Sequence, residues 1–216
     1  MDLEQAMRIS SRATMLFQGD SVTQAGRTRW KNHGLGNGYV MMVAERFFAK
    51  HPEDSVRFVN RGISGNRIRD LRKRWQKDCL NLKPDVVSIL IGENDTLGEF
   101  FWGELTSIES FEEDYLSILN LTRKNLDAQI VLLEPFLLPL SKEQTILRHD
   151  IDARIKVVRK LAKEFETGLV QLDSVFAEAA KVKGPEFWSK DGIHPTPAGH
   201  ALIAESWLSD MEFTEV

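Results

Sequence analysis

Short apolar runs alternate with longer stretches of helical period from about residue 14 to residue 208. The runs Met15 to Phe17, Val56 to Val59, Val86 to Ile91, Ile130 to Leu133 and Leu169 to Leu172 are nearly continuous in apolar residues. That pattern suits parallel strands covered on both faces. Each run closes on polar or turn-forming residues: Gln18 to Ser21, Asn60, Gly92 to Asp95, Glu134-Pro135 and Asp173-Ser174. Between them, Gly38 to Lys50 sets Val40, Val43, Ala44, Phe47 and Phe48 on one face and stops before Pro52. Further amphipathic helices are expected over Ile68 to Leu80, after a Ser110/Glu113 capping box, and over Ile151 to Phe165, where Gly168 supplies the stop. Thr196 caps a last helix whose first residue is Pro197. This alternation predicts an α/β domain without repeats or linkers.

With 216 residues, 42% of them apolar, the chain can bury one ordinary-sized core, which excludes a disordered tail or a collagen-like repeat. Lys plus Arg number 28 against 32 Asp plus Glu, and the resulting charge of −4 argues against a general polyanion binder. The basic stretch Arg67, Arg69, Arg72, Lys73, Arg74, Lys77 is therefore read as a solvated helix face rather than a nucleic-acid surface. No apolar stretch is long enough to span a bilayer, and Asp2, Glu4, Arg8 and Arg12 interrupt the start where a signal peptide would be apolar. The single Cys79 cannot form an intramolecular disulfide, so a reducing, cytoplasmic location is expected. His33, His51, His149 and His200 lack metal-ligand spacing and no HExxH occurs, so no metal is expected.

In open parallel sheets the reactive groups gather beyond the carboxyl ends of the strands. The most unusual polar residues fall there: Ser21, Gly62 to Asn66, Asn94, and Asp191 with His194 on the loop before the last helix. A serine hydroxyl attacks at neutral pH only if a base takes its proton, and an imidazole, titrating near ~6.5 when unperturbed, is suited to that. Asp191, three residues before His194, can hold the second ring nitrogen as donor and compensate the charge that develops. The oxyanion of an attacked ester would meet the N–H groups of Ser21 and Gly65 and the Asn94 amide. Gly65 is expected to lack a side chain because the backbone approaches the reacting centre closely there. Ser64 competes as a nucleophile by type but has no legible partner. Trp30 and Trp188, near Ser21 and Asp191 in sequence, could stack on a sugar or simply pack, and Asp20 is a further candidate for substrate contact or for pinning its loop. Phe100-Phe101-Trp102 is read as a flap or subunit contact in the loop after Asn94.

Taken in order, Gly19-Asp20-Ser21, Gly65, Gly92-Glu93-Asn94-Asp95 and Asp191-Gly192-Ile193-His194-Pro195 resemble the SGNH hydrolases, also called the GDSL esterase family. Within that family the stretches GDSVTQAGR (19–27), LGNGYV (35–40), NRGISGNRIRD (60–70) with Arg74-Trp75, and KPDVVSILIGEND (83–95) look like intracellular acetylxylan esterase-type members. The resemblance implies Ser21 as nucleophile, His194 as base, Asp191 as its orienting acid, and Ser21, Gly65 and Asn94 as oxyanion donors. It implies no cofactor, a small acetylated carbohydrate as partner, no nucleic acid, no membrane and a homo-oligomer. Glu93 and the Phe100 to Trp102 run depart from the family pattern. The absence of a GxSxG elbow argues against the α/β-hydrolase fold.

The expected architecture is one SGNH hydrolase domain over residues 1–216, with its core at about 14–208. It is a three-layer α/β/α fold on a five-stranded parallel sheet of order 2-1-3-4-5. The expected activity is a serine esterase removing O-acetyl groups from xylo-oligosaccharides or related sugars. A lipid-acting esterase, lysophospholipase or thioesterase using the same triad is the alternative, followed by an acyltransferase and a non-catalytic glycan-binding module.

Overall fold

A computed structural model describes residues 7–28, 34–103, 106–209 and 213–215; the side chains of 7–9, 99–102 and 213–215 are outside that description. The elements in chain order are β1 (Met7–Ile9), β2 (Thr14–Gly19), α1 (Ser21–Gln24), α2 (Tyr39–Lys50), β3 (Arg57–Asn60), α3 (Ile68–Asp78), β4 (Val86–Leu90), α4 (Glu93–Trp102), α5 (Ile108–Asn125), β5 (Gln129–Leu133), α6 (Lys142–Glu164), β6 (Gly168–Val170), α7 (Leu172–Lys183), α8 (Pro185–Trp188), α9 (Pro197–Ser209) and β7 (Phe213–Glu215). Strands β3-β2-β4-β5-β6 form an all-parallel sheet in that spatial order, which is 2-1-3-4-5 when the five are counted along the chain. A separate parallel pair joins β1 to β7.

Alternate strand residues enter two cores. Met15, Phe17, Leu90, Val131, Leu133 and Val170 pack with α2, α7 and α9, whereas Leu16, Val87, Ile89, Ile130 and Leu132 pack with α3, α5 and α6. Both faces are thus covered, which is why the strands read as continuous apolar runs. The connection from β2 runs through α2 on one face and the next through α3 on the other. The connections thus diverge at the carboxyl end of β2, the topological position where ligands bind in such sheets, and Ser21 follows that strand. Among the described residues two tryptophans are fully buried and hydrogen-bond their ring nitrogens as buried indoles require: Trp75 to Thr122 Oγ1 at 3.0 Å and Trp207 to Ser88 Oγ at 3.1 Å.

Several boundaries differ from the sequence reading. Ser107, not Ser110, caps α5: its hydroxyl accepts from Ser110 N at 3.1 Å. Helix α6 starts at Lys142, nine residues before the first apolar position used to place it, because Ser141 accepts from Gln144 N. Leu172 opens α7 instead of ending a strand, and Glu93 to Trp102 form a helix where a turn and loop were expected. Thr196 does cap α9, accepting from Gly199 N at 3.2 Å. No described helix is long and apolar enough to cross a membrane. Cys79 is buried and unbridged, and burial pushes its thiol up to about 12.

Beneath the site, α4 is tied to α6 by Arg154, which is wholly buried. Its guanidinium donates to Asp95 O at 3.2 Å, Thr106 O at 2.6 Å, Thr96 Oγ1 at 3.1 Å and the Asp150 carboxylate. Burial raises Asp95 to about 7, against the opposing pull of Arg154. A carboxyl raised on folding binds more protons in the native than in the unfolded state, so its contribution is complete below about pH 4 and is lost as pH rises through 7. At about 1.4 kcal/mol per unit the loss is on the order of 4 kcal/mol. Urea unfolding at pH 5 and pH 8 spans the last two units of it and should show a decline of about 3 kcal/mol in the parent and a smaller one in Asp95→Asn; equal declines would exclude Asp95 as its source.

Candidate active site

The turn after β2 presents the candidate nucleophile. Asp20 caps α1 by accepting Val22 N on Oδ1 at 2.9 Å, and this fixes Ser21 at the first helical position. Ser21 Oγ lies 2.9 Å from His194 Nε2, and His194 Nδ1 lies 2.6 Å from Asp191 Oδ2. With Nδ1 donating to the carboxylate, Nε2 is left as acceptor for the serine proton. Asp191 Oδ1 also accepts Ile193 N at 3.1 Å and His194 N at 2.7 Å. Burial pushes the Asp191 carboxyl up, but these hydrogen bonds and the imidazole outweigh it and hold the group below its ordinary value. His194 and Asp191 are each 53% exposed along the side chain, so the relay opens to solvent.

The loop carrying this pair is held from outside. Gly192 adopts φ +87°, and a Cβ there would meet Leu138 O at 2.6 Å, so the position needs glycine on both counts. Gln144 of α6 donates to Asp191 O at 2.6 Å and accepts from Leu140 N at 2.7 Å, clamping the loop to the chain after β5. Ser189 Oγ donates to His194 O at 3.0 Å.

Gly65 faces the same opening. Its φ is +78°, and a Cβ there would meet no protein atom within 4 Å, so within the protein conformation rather than crowding explains the glycine. Among the described residues the N–H groups of Ser21 and Gly65 have no protein acceptor. Asn94, in the first turn of α4, donates from Nδ2 to Asp20 Oδ2 and to Asn66 O, each at 3.1 Å. Asn60 orders the loops beneath by donating to Thr23 O and Leu35 O and accepting from Gly62 N.

The structure thus brings Ser21, Asp191, His194, Gly65 and Asn94 to one rim. Of the two readings of Asp20, pinning its loop holds and substrate contact is corrected: the residue is wholly buried, with both oxygens engaged in holding the turn and Asn94. Trp188 packs half-buried against the core cluster of α2 and α9, with Phe187 edge-on at 4.9 Å, which supports packing over sugar stacking. Trp30 and the side chains of Phe100 to Trp102 lie outside the described residues.

Three supporting residues escaped the sequence reading. Gln144 and Asn60 are two of them. The third is Arg74, which leaves the solvated face expected for it to donate to Gln18 Oε1 and Asn66 Oδ1 at 2.9 Å and to Asp78 at 3.2 Å. His200 has a packing role: its Nδ1 accepts Tyr39 N at 3.3 Å at the start of α2, and burial, aided by His194, lowers it to about 4. Among the described residues no group of His, Cys, Asp or Glu could hold a metal ion.

A serine, imidazole and carboxylate in hydrogen-bonded series beside free N–H donors define a hydrolase-type site on a parallel α/β sheet. The sequence model of the GDSL-like Lipase/Acylhydrolase family matches residues 17–202, and the chain belongs to that family. It is 36% identical to an acetylxylan esterase of Geobacillus stearothermophilus over 96% of this chain and 97% of the relative. The solved structure of that esterase superposes with a TM-score of 0.88, covering 96% of this chain and 98% of the other. A GDSL-like lipase from Parabacteroides merdae gives 0.90 at 36% identity, covering 95% and 98%. Two solved variants of the Geobacillus enzyme, a serine-to-alanine and a histidine-to-alanine change, are described as catalytic mutants of it. The chain is a carboxylic ester hydrolase with the fold of the SGNH enzymes.

Proposed function

We propose that the chain hydrolyses O-acetyl esters of xylo-oligosaccharides or related small sugars through an acyl-enzyme on Ser21. The observation that carries this is the continuous series Ser21 Oγ, His194 Nε2, His194 Nδ1, Asp191 Oδ2, with links of 2.9 and 2.6 Å. His194 takes the serine proton as Oγ attacks the acetyl carbonyl, and Asp191 compensates the imidazolium. The oxyanion meets the Ser21 and Gly65 N–H groups, and Asn94 joins by sharing the hydrogen it gives to Asn66 O. One such donor is worth about 3 kcal/mol of barrier. As the C–O bond to the sugar breaks, His194 gives its proton to the departing sugar oxygen, which leaves as a hydroxyl, and the neutral imidazole then activates water for deacylation.

The acetylated-sugar assignment is supported by the acetylxylan esterase relative, which matches the chain almost end to end. The open rim, with Ile63, Ser64, Gly65 and His194 exposed, suits a short acyl group on a polar alcohol. A single-domain, cytoplasmic homo-oligomer goes with this reading. Acetate release from acetylated xylo-oligosaccharides, short and long acyl esters and a lysophospholipid tests it. Release from the sugars is expected; turnover of long acyl substrates alone would replace the sugar assignment with a lipid-acting esterase.

A further inference from the structure

Glu93 opens α4 one residue before Asn94, and its side chain is only 1% exposed. Facing it is Asp20, one residue before Ser21 and wholly buried, and the two carboxyl groups lie close enough for each to act on the other's charge. Two buried carboxylates ionised side by side would repel and have no hydrogen to share, whereas a pair holding one proton avoids both costs. The other contacts say which of the two holds it. Both Asp20 oxygens already accept, Oδ1 from Val22 N at 2.9 Å and Oδ2 from Asn94 Nδ2 at 3.1 Å. Glu93 Oε1 accepts from Phe136 N at 3.3 Å, whereas Oε2 is buried with no donor directed at it. A bare anionic oxygen there would be left unsatisfied, but a hydroxyl there is satisfied by donating to Asp20.

We propose that Glu93 is a positioning residue of the oxyanion site: a neutral carboxylic acid whose Oε2–H donates to Asp20, so that the buried pair sets one negative charge, not two, behind the Asn94 amide. Burial raises both groups, and the Asp20 charge raises Glu93 further. The titratable neighbours agree with that arrangement. Tyr39 of α2 and Tyr115 of α5 are pushed up by burial and stay neutral, and Asp95 on α4 adds negative charge toward Asp20 and Glu93. Arg154 of α6 is spent on Asp95, Asp150 and backbone oxygens, and His194 acts on Asp20 from the rim. Among the described residues no cation is hydrogen-bonded to either carboxyl. The single Asp20 charge draws the Asn94 amide into place, while a second charge would oppose an oxyanion forming beyond it.

This kinetic consequence rests on the esterase reading; the proton itself does not. Parent, Glu93→Gln and Glu93→Leu would be compared in two ways. At pH 8, above the titration of Asp95, the infrared difference between parent and Glu93→Gln should contain the C=O stretch of a protonated carboxyl; its absence overturns the proposal whether or not the protein turns over. With acetyl ester substrate, kcat of the parent should fall as pH rises and the shared proton leaves, and Glu93→Gln, which still donates to Asp20 but does not ionise, should lack that fall. Glu93→Leu should lose at least tenfold in kcat at pH 7 with KM little changed, and Glu93→Gln should recover most of it. Superimposable pH profiles, or a Leu variant as active as the parent, would overturn the proposal. No turnover by any folded form would remove the esterase reading and leave the infrared band to decide the proton.

Discussion

Ser21→Ala protein is expected to release acetate from acetylated xylo-oligosaccharides with kcat about 10⁴- to 10⁶-fold below the parent, the range seen when a hydrolytic nucleophile is removed. The N–H groups of Ser21 and Gly65 and the Asn94 amide survive the change, so substrate binding and a residual rate above solution should persist. Ser21 is half-buried, the hydrogen bond of its hydroxyl to His194 is exposed, and one such bond contributes about 1 kcal/mol or less here. The unfolding midpoint should therefore stay close to the parent's. Initial rates alongside urea unfolding check both halves, and labelling of the parent but not the variant by a serine-reactive phosphonate checks the atom. A loss smaller than tenfold would move the nucleophile elsewhere on the rim, with exposed Ser64 the first to test.

Arg154→Met should be the most destabilising single change, at about 3–5 kcal/mol, the usual cost of breaking a buried charged network by removing one partner. Methionine replaces the aliphatic stem but leaves Asp95 O, Thr106 O and Thr96 Oγ1 without their donor in a buried region. It also removes the cation that lies 5.0 Å above the Phe111 ring and the one charge that favours ionised Asp95. Denaturant unfolding at pH 7 measures this. A change under about 1 kcal/mol would mean that water reaches these oxygens once the guanidinium is gone.

The sheet was legible because covering both faces of a parallel strand forces apolar residues into succession, as in Val86 to Ile91. Helix α6 was read short because its first turns, Lys142 to Asp150, carry the charged and polar residues of a surface segment, and only the Ser141 cap marks its start. The polar rim residues stood out because Ser21, Asn94, Asp191 and His194 each interrupt an apolar or glycine-marked boundary. Gln144, Asn60 and Arg74 did not, since a polar residue on a helix or at a strand end looks solvated until distant chain is laid across it. Asp20 stayed open between pinning its loop and touching substrate for the same reason: Val22 and Asn94 are seen to absorb both its oxygens only in three dimensions.

Cys79 gives the molecule a practical property. Alkylation and disulfide exchange proceed through the thiolate, and a sulfur that is covered and held near 12 supplies almost none at neutral pH. The native chain is therefore silent toward maleimides and iodoacetamides while folded. A cysteine introduced at exposed Ile63, beside Gly65, would be the single labelled position, and a dye or spin probe could report on ligand arrival at the rim with the native cysteine left in place.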